Sequence, residues 1–124
     1  MTQEDKALLL RDLCARLPYG VKVNGVFLNY NKDKGKILYE ECVKELDYNH
    51  LRRYWALKPY LFPLSSMTEE QSKVYHELIK GMFGTSALIN FEVLTDFFNA
   101  NHLDYRGLIK MGLAIDATGL NIYC

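Results

Sequence analysis

The side chains best suited to chemistry in this chain are His50, His76 and His102, Cys14, Cys42 and Cys124, and the pair Ser65-Ser66. Their spacing decides what they can do. Zinc ligands return in close pairs, as in C-x-x-C or H-E-x-x-H, and no two of these histidines or cysteines stand that close. A hydrolase serine sits on a G-x-S-x-G elbow, and Ser65 and Ser66 have no such flanks. The run Gly81 to Ser86 lacks the lysine of a phosphate loop and follows no strand pattern. Glu40 and Glu41, like Glu69 and Glu70, are sequence neighbours, and neighbours on a helix do not share a face, so they make poor acid–base pairs. Cys14 falls on the apolar stripe of a predicted helix, which reads as a buried, unreactive thiol. The sequence predicts no catalytic, cofactor or metal residue and points away from an enzyme.

Two stretches are better suited to binding. The first, "HLRRYWALK" at 50 to 58, interleaves Arg52 and Arg53 with Tyr54 and Trp55. Such a mixture can grip a single nucleic-acid strand by charge and stacking, or it can be core aromatics with a solvated basic edge. The second is "HLDYRG" at 102 to 107. Asp104 there reads as a helix cap, but Tyr105 and Arg106 are not needed for capping. They form either a binding pair or a tie from this turn to a carboxylate elsewhere. The candidate binding surface is therefore Arg52, Arg53, Trp55, Tyr105 and Arg106.

The elements that must position these residues follow from periodicity. Thr2 can cap a helix to Leu17, with Leu10, Leu13, Cys14 and Leu17 as its stripe. Pro18-Tyr19-Gly20 stops it. From Val21 the period becomes two. Asn24-Gly25 has the form of a type I′ hairpin turn, Val26, Leu28 and Tyr30 resume the alternation, and 36 to 39 reads as a third strand. Tyr39, Cys42, Val43 and Leu46 predict a short helix near 40 to 46, followed by an extended segment into Lys58-Pro59-Tyr60. Thr68 and Gln71 fit a capping box before a stripe of Val74, Tyr75, Leu78, Ile79 and Met82, with Gly81 or Gly84 as the stop. Asn90 reads as the cap of a helix that turns Phe91, Leu94, Phe97 and Phe98 inward. Asp104 caps a third helix ended by Gly112, with Leu103 and Leu108 as its hydrophobic staple. The stretch 99 to 114 is thus read as a structural corner. Thr118-Gly119 centres a terminal hairpin. The expected fold is one α+β domain over 1–124: an N-terminal helix, a small antiparallel sheet, three helices and a C-terminal hairpin.

Composition sets outer bounds. The 124 residues are 49% hydrophobic and 24% charged, within the range of ordinary globular domains. Net charge is zero, yet residues 1 to 67 carry 11 Lys and Arg against 8 Asp and Glu, while 68 to 124 carry 4 against 7. That acidic half argues against reading 91 to 123, whose order resembles a winged helix, as a DNA reader. An odd cysteine count without close pairs favours a reducing compartment. No leader-like start and no long apolar run stands in the sequence, so a cytoplasmic chain without membrane contact is expected.

Three blocks, "LPYGV" (17 to 21), "KPYLFPLSSMTEE" (58 to 70) and "HLDYRGLIKMGLA" (102 to 114), resemble, in this order, a family of short uncharacterised proteins from gut Bacteroidetes and their mobile elements. "LLLRDLCARLPYGV" fits the same pattern. The resemblance skips about 24 to 57. It implies a shared scaffold with a changeable central surface, and it carries no reaction or ligand. With nine tyrosines, which suit half-buried contact positions, these features make a non-enzymatic protein-interaction module the expected function. Its partner is expected to be a protein, self-association included. A nucleic-acid-binding accessory role is the alternative.

Overall fold

The computed structural model describes residues 1–81 and 87–123. It is α+β, with a four-stranded mixed sheet in the order β2-β1-β3-β4. Helix α1 is Gln3–Arg16, β1 is Lys22–Asn31 and β2 is Lys36–Glu45. A 3-10 segment follows at Tyr48–Ala56, then β3 at Lys58–Leu61, α2 at Glu69–Gly81, α3 at Ala87–Ala100 and β4 at Ile115–Asp116.

Local signals fix both well-capped helices. The Asp5 N–H donates to Thr2 Oγ1 at 3.0 Å and the Thr2 N–H donates back to Asp5 at 3.3 Å. Thr68 and Gln71 repeat this reciprocal pair at 3.0 and 3.1 Å. These caps satisfy backbone donors that a helix start leaves orphaned. The inner stripe of α1, however, is Leu9, Asp12, Leu13 and Arg16, one position away from the expected one. Cys14 is exposed rather than buried, because an ion pair takes the inward positions beside Leu9 and Leu13.

The largest departure is in the first sheet. β1 runs straight through Asn24-Gly25 and pairs with β2 along all ten residues, from Lys22 opposite Glu45 to Asn31 opposite Lys36. The chain reverses at 32 to 35 instead. Gly25 answers a long-range need, since a Cβ there would come within 2.5 Å of Leu57 Cδ2. The Asn24 amide donates to Glu41 Oε1 across the ladder at 2.8 Å. The expected helix at 40 to 46 is strand β2. A spacing of four is also even, so Tyr39 and Val43 share a strand face as readily as a helix face. The expected extended stretch after it is 3-10 helix, started by Asp47, whose carboxylate accepts from the Asn49 and His50 N–H groups at 2.8 and 3.2 Å.

β3 joins the two halves. Asn24 faces Lys58 and Val23 faces Pro59 in antiparallel register. On its other side, Tyr60 and Leu61 pair in parallel with Ile115 and Asp116, so β4 pairs with β3 where a terminal hairpin was expected. Residues 120 to 123 carry no strand. The Phe62 N–H donates to the His102 carbonyl at 2.8 Å, and the Asp104 N–H donates to the Phe62 carbonyl at 2.8 Å. One apolar cluster centres on Leu9, Leu13, Val23, Leu57, Leu61 and Leu108. A second centres on Leu94, Phe98 and Leu103. Leu103 and Leu108 therefore serve different clusters and form no staple. α3 already begins at Ala87 and contains Asn90, and Phe91 is exposed on it. α2 ends at Gly81 with Val74 exposed; Met82 and Gly84 lie outside the described residues.

The stretch after α3 is a corner without a second helix. Asp104 reaches forward to accept from the Leu108 and Ile109 N–H groups, both at 2.9 Å. Gly107 and Gly112 take positive φ of 75° and 78° on either side of this turn, a region that glycine enters without steric cost. A buried backbone donor left without its acceptor costs about 1–3 kcal/mol. Asp104→Ala should lower the melting temperature accordingly, whereas Lys110→Ala, on the exposed side of the turn, should leave it within the range of ordinary surface changes. Thermal denaturation followed by circular dichroism checks both.

Candidate functional site

The five candidate residues separate into two groups. Tyr105 and Arg106 belong to a buried polar network. Asp12 is fully buried and accepts from Arg16 Nε at 2.8 Å and from Arg106 Nε at 3.2 Å. Arg16, also fully buried, donates through Nη2 to the Leu103 carbonyl at 2.7 Å. Arg106 Nη2 donates to Tyr105 Oη at 3.0 Å. Both guanidiniums lie over the Tyr105 ring, at 5.3 Å for Arg16 and 4.9 Å for Arg106, and that ring stacks on Phe98 at 5.2 Å. Arg106 is thus a tie from the turn to a carboxylate on α1. One carboxylate serves two guanidiniums here, so the ring faces and the Leu103 carbonyl must help stabilise the second cation. The network locks α1 to the corner and leaves Tyr105 and Arg106 turned inward.

Arg52, Arg53 and Trp55 are grouped on the 3-10 segment, and all three are exposed. Trp55 meets Tyr54 edge-on at 5.5 Å, and Tyr54 and Leu51 pack on the first apolar cluster. At Arg53 the backbone leaves helical geometry, with φ −129° and ψ 37°, which kinks the segment.

The surface that sequence reasoning missed is the hairpin. Residues directly opposite each other in an antiparallel ladder share a face. The register places Asn24, Val26, Leu28 and Tyr30 beside Val43, Glu41, Tyr39 and Ile37. Six of these eight are apolar or aromatic, and each is between 40% and 70% exposed. The opposite face carries Val23, Gly25 and Phe27, which are buried or half-buried against the body. Phe27 there meets the His50 ring at 4.9 Å and lies under Lys44 Nζ at 5.0 Å. The signal was available: Val26, Leu28 and Tyr30 alternate, and so do Ile37, Tyr39 and Val43 once 36 to 45 is read with period two.

The C-terminal tail is held by Tyr123. Its Oη accepts from the Lys22 N–H at 2.8 Å and donates to the Tyr60 carbonyl at 2.7 Å. The His102 ring stacks on it at 3.8 Å and 12°. His102 sits in the left-handed region at φ 57°, and its Nδ1 is buried without a hydrogen-bond partner among the described residues. Burial first, then the positive charges of Arg16 and Lys22, lowers its pKa to about 4. Among the described residues no three His, Cys, Asp or Glu side chains gather as a metal site, and no helix is long and apolar enough to cross a membrane. No family model, curated protein or solved structure matches the chain.

The neutral His102 links stability to pH. Between its folded value near 4 and the ordinary value of 6.5, the unfolded chain binds the proton and the folded chain does not. Stability is therefore complete above pH 6.5 and is lost as pH falls toward 4. His102→Asn, which tolerates the same backbone region, should reduce that loss. The difference between the melting temperatures of the two proteins should then close progressively from pH 7 to pH 4; a difference independent of pH would contradict the assignment.

Proposed function

We propose that the chain is a non-enzymatic protein-interaction module of the cytoplasm whose contact surface is the outer face of the β1–β2 hairpin. The observation that carries this reading is the row of Val26, Leu28, Tyr30, Ile37, Tyr39 and Val43 on one face, all substantially exposed. Single exposed apolar residues are ordinary, but a contiguous patch with a polar rim marks an interaction surface. The hairpin is built for such a role. Beyond Val23 and Asn24 it has no strand partner from the body among the described residues, and its core-facing side already holds the residues that anchor it. The blocks that carry the family resemblance lie in the body and its corner, while the skipped stretch 24 to 57 forms the hairpin and the 3-10 segment. That division fits a common scaffold with a partner-specific surface.

The pair Leu28→Thr and Tyr39→Thr tests this reading, because threonine keeps strand propensity while removing apolar area. The melting temperature should change little. A protein captured by the unmodified chain and then reconstituted in pure form should bind the double variant at least tenfold more weakly, as expected when central aromatic and aliphatic contacts are truncated (roughly 1 kcal/mol or more each). Unchanged affinity would contradict the reading. So would tight, salt-sensitive binding of single-stranded oligonucleotides that is lost in Arg52→Ala/Arg53→Ala, which would favour the nucleic-acid alternative.

A further inference from the structure

A second feature lies along the edge of the same hairpin. β1 pairs with β2 over its full length but with β3 only at Val23 and Asn24. Past Asn24, the lane that β3 would occupy holds no strand among the described residues. Two bonds fix which backbone groups face that lane. The Leu46 N–H donates to the Val21 carbonyl at 2.8 Å, directly across the register, so the odd-numbered residues of β1 exchange hydrogen bonds with β2. Lys22, the first even-numbered residue, turns its N–H the other way, to Tyr123 Oη at 2.8 Å. The same alternation directs the N–H and C=O groups of Val26, Leu28 and Tyr30 into the open lane.

The lane begins at a cleft. Val26 and Phe27 both line it, although successive side chains leave opposite faces of a strand. The cleft therefore opens at the strand edge. His50, Arg53 and Leu57 form its far wall, and its volume is about 170 Å³. An engineered cavity of ~150 Å³ accepts a benzene ring, so there is room for one large apolar side chain. The lining carries a cation at Arg53, while the carboxylates of Asp47, bonded to the Asn49 and His50 N–H groups, and of Glu41, opposite Val26, adjoin its lining residues from outside. Arg53 is exposed at the wall, Lys58 is exposed where β3 begins, and Lys44 lies over the Phe27 ring at 5.0 Å. No carboxylate is among the described lining residues.

We propose that lane and cleft together take an extended segment of a partner protein. The segment adds a strand to β1 at 26 to 30, seats one aromatic or large aliphatic side chain in the cleft, and places a neighbouring carboxylate on Arg53. Backbone pairing supplies affinity in this mode of recognition, and the pocket and the charge supply selectivity. The proposal rests on the hairpin being a protein-contact surface and adds the form and chemistry of what it contacts.

A displayed library of random dodecapeptides, selected on the full chain, provides the test. Enriched peptides should carry a large apolar residue next to Asp or Glu. N-methylation of alternate amides in the best synthetic peptide should weaken binding at least tenfold, because it removes strand donors. Arg53→Glu, an exposed change that should leave the melting temperature unaltered, should weaken it at least tenfold as well, and replacing the peptide's acid by Lys should restore it. The proposal is overturned if no peptide is enriched, or if binding survives both N-methylation and Arg53→Glu. If such surviving peptides are lost only in Leu28→Thr/Tyr39→Thr, the hairpin face still stands as the contact surface and the lane does not. Selection of single-stranded oligonucleotides through Arg52 and Arg53 instead of peptides would overturn both.

Discussion

The body of this protein depends on a carboxylate buried between two arginines. Asp12 holds Arg16 at 2.8 Å and Arg106 at 3.2 Å, and so joins α1 to the corner that follows α3. That corner is bonded through His102 and Asp104 to Phe62, at the end of β3. One network therefore fixes the helix, the corner and the strand that receives β4. Desolvating such charges is costly, and removing one partner typically costs about 3–5 kcal/mol because the other is left buried and unpaired. Losing Asp12 would strand two guanidiniums at once. Among the described residues Arg16 Nη1 already has no hydrogen-bond partner, which leaves this cluster little surplus bonding to lose.

A body closed in this way has consequences for the hairpin. β3 is only four residues long, and its start is set by the 3-10 segment that Asp47 caps. Leu57, the residue before β3, is buried against Gly25, so the chain turns away there rather than continuing along β1. Among the described residues, the outer half of a hairpin with ten-residue strands has no strand neighbour on its β3 side, and β2 is itself an edge. Natural sheets usually blunt long edges with charge or proline. Here Lys36, Glu40, Glu41, Lys44 and Glu45 supply charge along β2, while the outer face of β1 stays apolar at Val26, Leu28 and Tyr30. The uncharged edge and the apolar face thus coincide on one strand.

What the sequence made legible was what short-range chemistry decides. Thr2, and Thr68 with Gln71, are helix caps whose partners lie within three positions, so they can be recognised without tertiary information; Asp104 also bonds forward within five positions, but it closes a turn and not the expected helix. The α+β class follows from the change of period at Val21. The rest failed where a distant contact overrode a local signal. Asn24-Gly25 has the composition of a hairpin turn, but glycine stands there because Leu57 arrives from more than thirty positions away. Tyr39 and Val43, four positions apart, share a face in a helix and in a strand alike, while Cys42 falls on the opposite face of the strand, and only pairing with β1 resolves the stretch. Asp12 and Arg16 were invisible to a stripe built from apolar residues alone. A charged i, i+4 pair interleaved with Leu9 and Leu13 was the available clue. Of the five candidate site residues, the inward turn of Tyr105 and Arg106 matches the tie to a distant carboxylate, while Arg53 acquires significance only through its place on the cleft.

The most direct measurement is residue-resolved amide hydrogen exchange on the isolated chain. An open edge on β1 requires a two-residue alternation in protection along the strand. The Gly25 and Phe27 amides, bonded to β2, should be protected, while the Val26, Leu28 and Tyr30 amides exchange at rates close to those of exposed loops. The Leu13 and Leu61 amides in the body should be the slowest class. Equal protection of Phe27 and Leu28 would mean that the edge of β1 is already covered in the folded chain, and the hairpin could not serve as the open surface described.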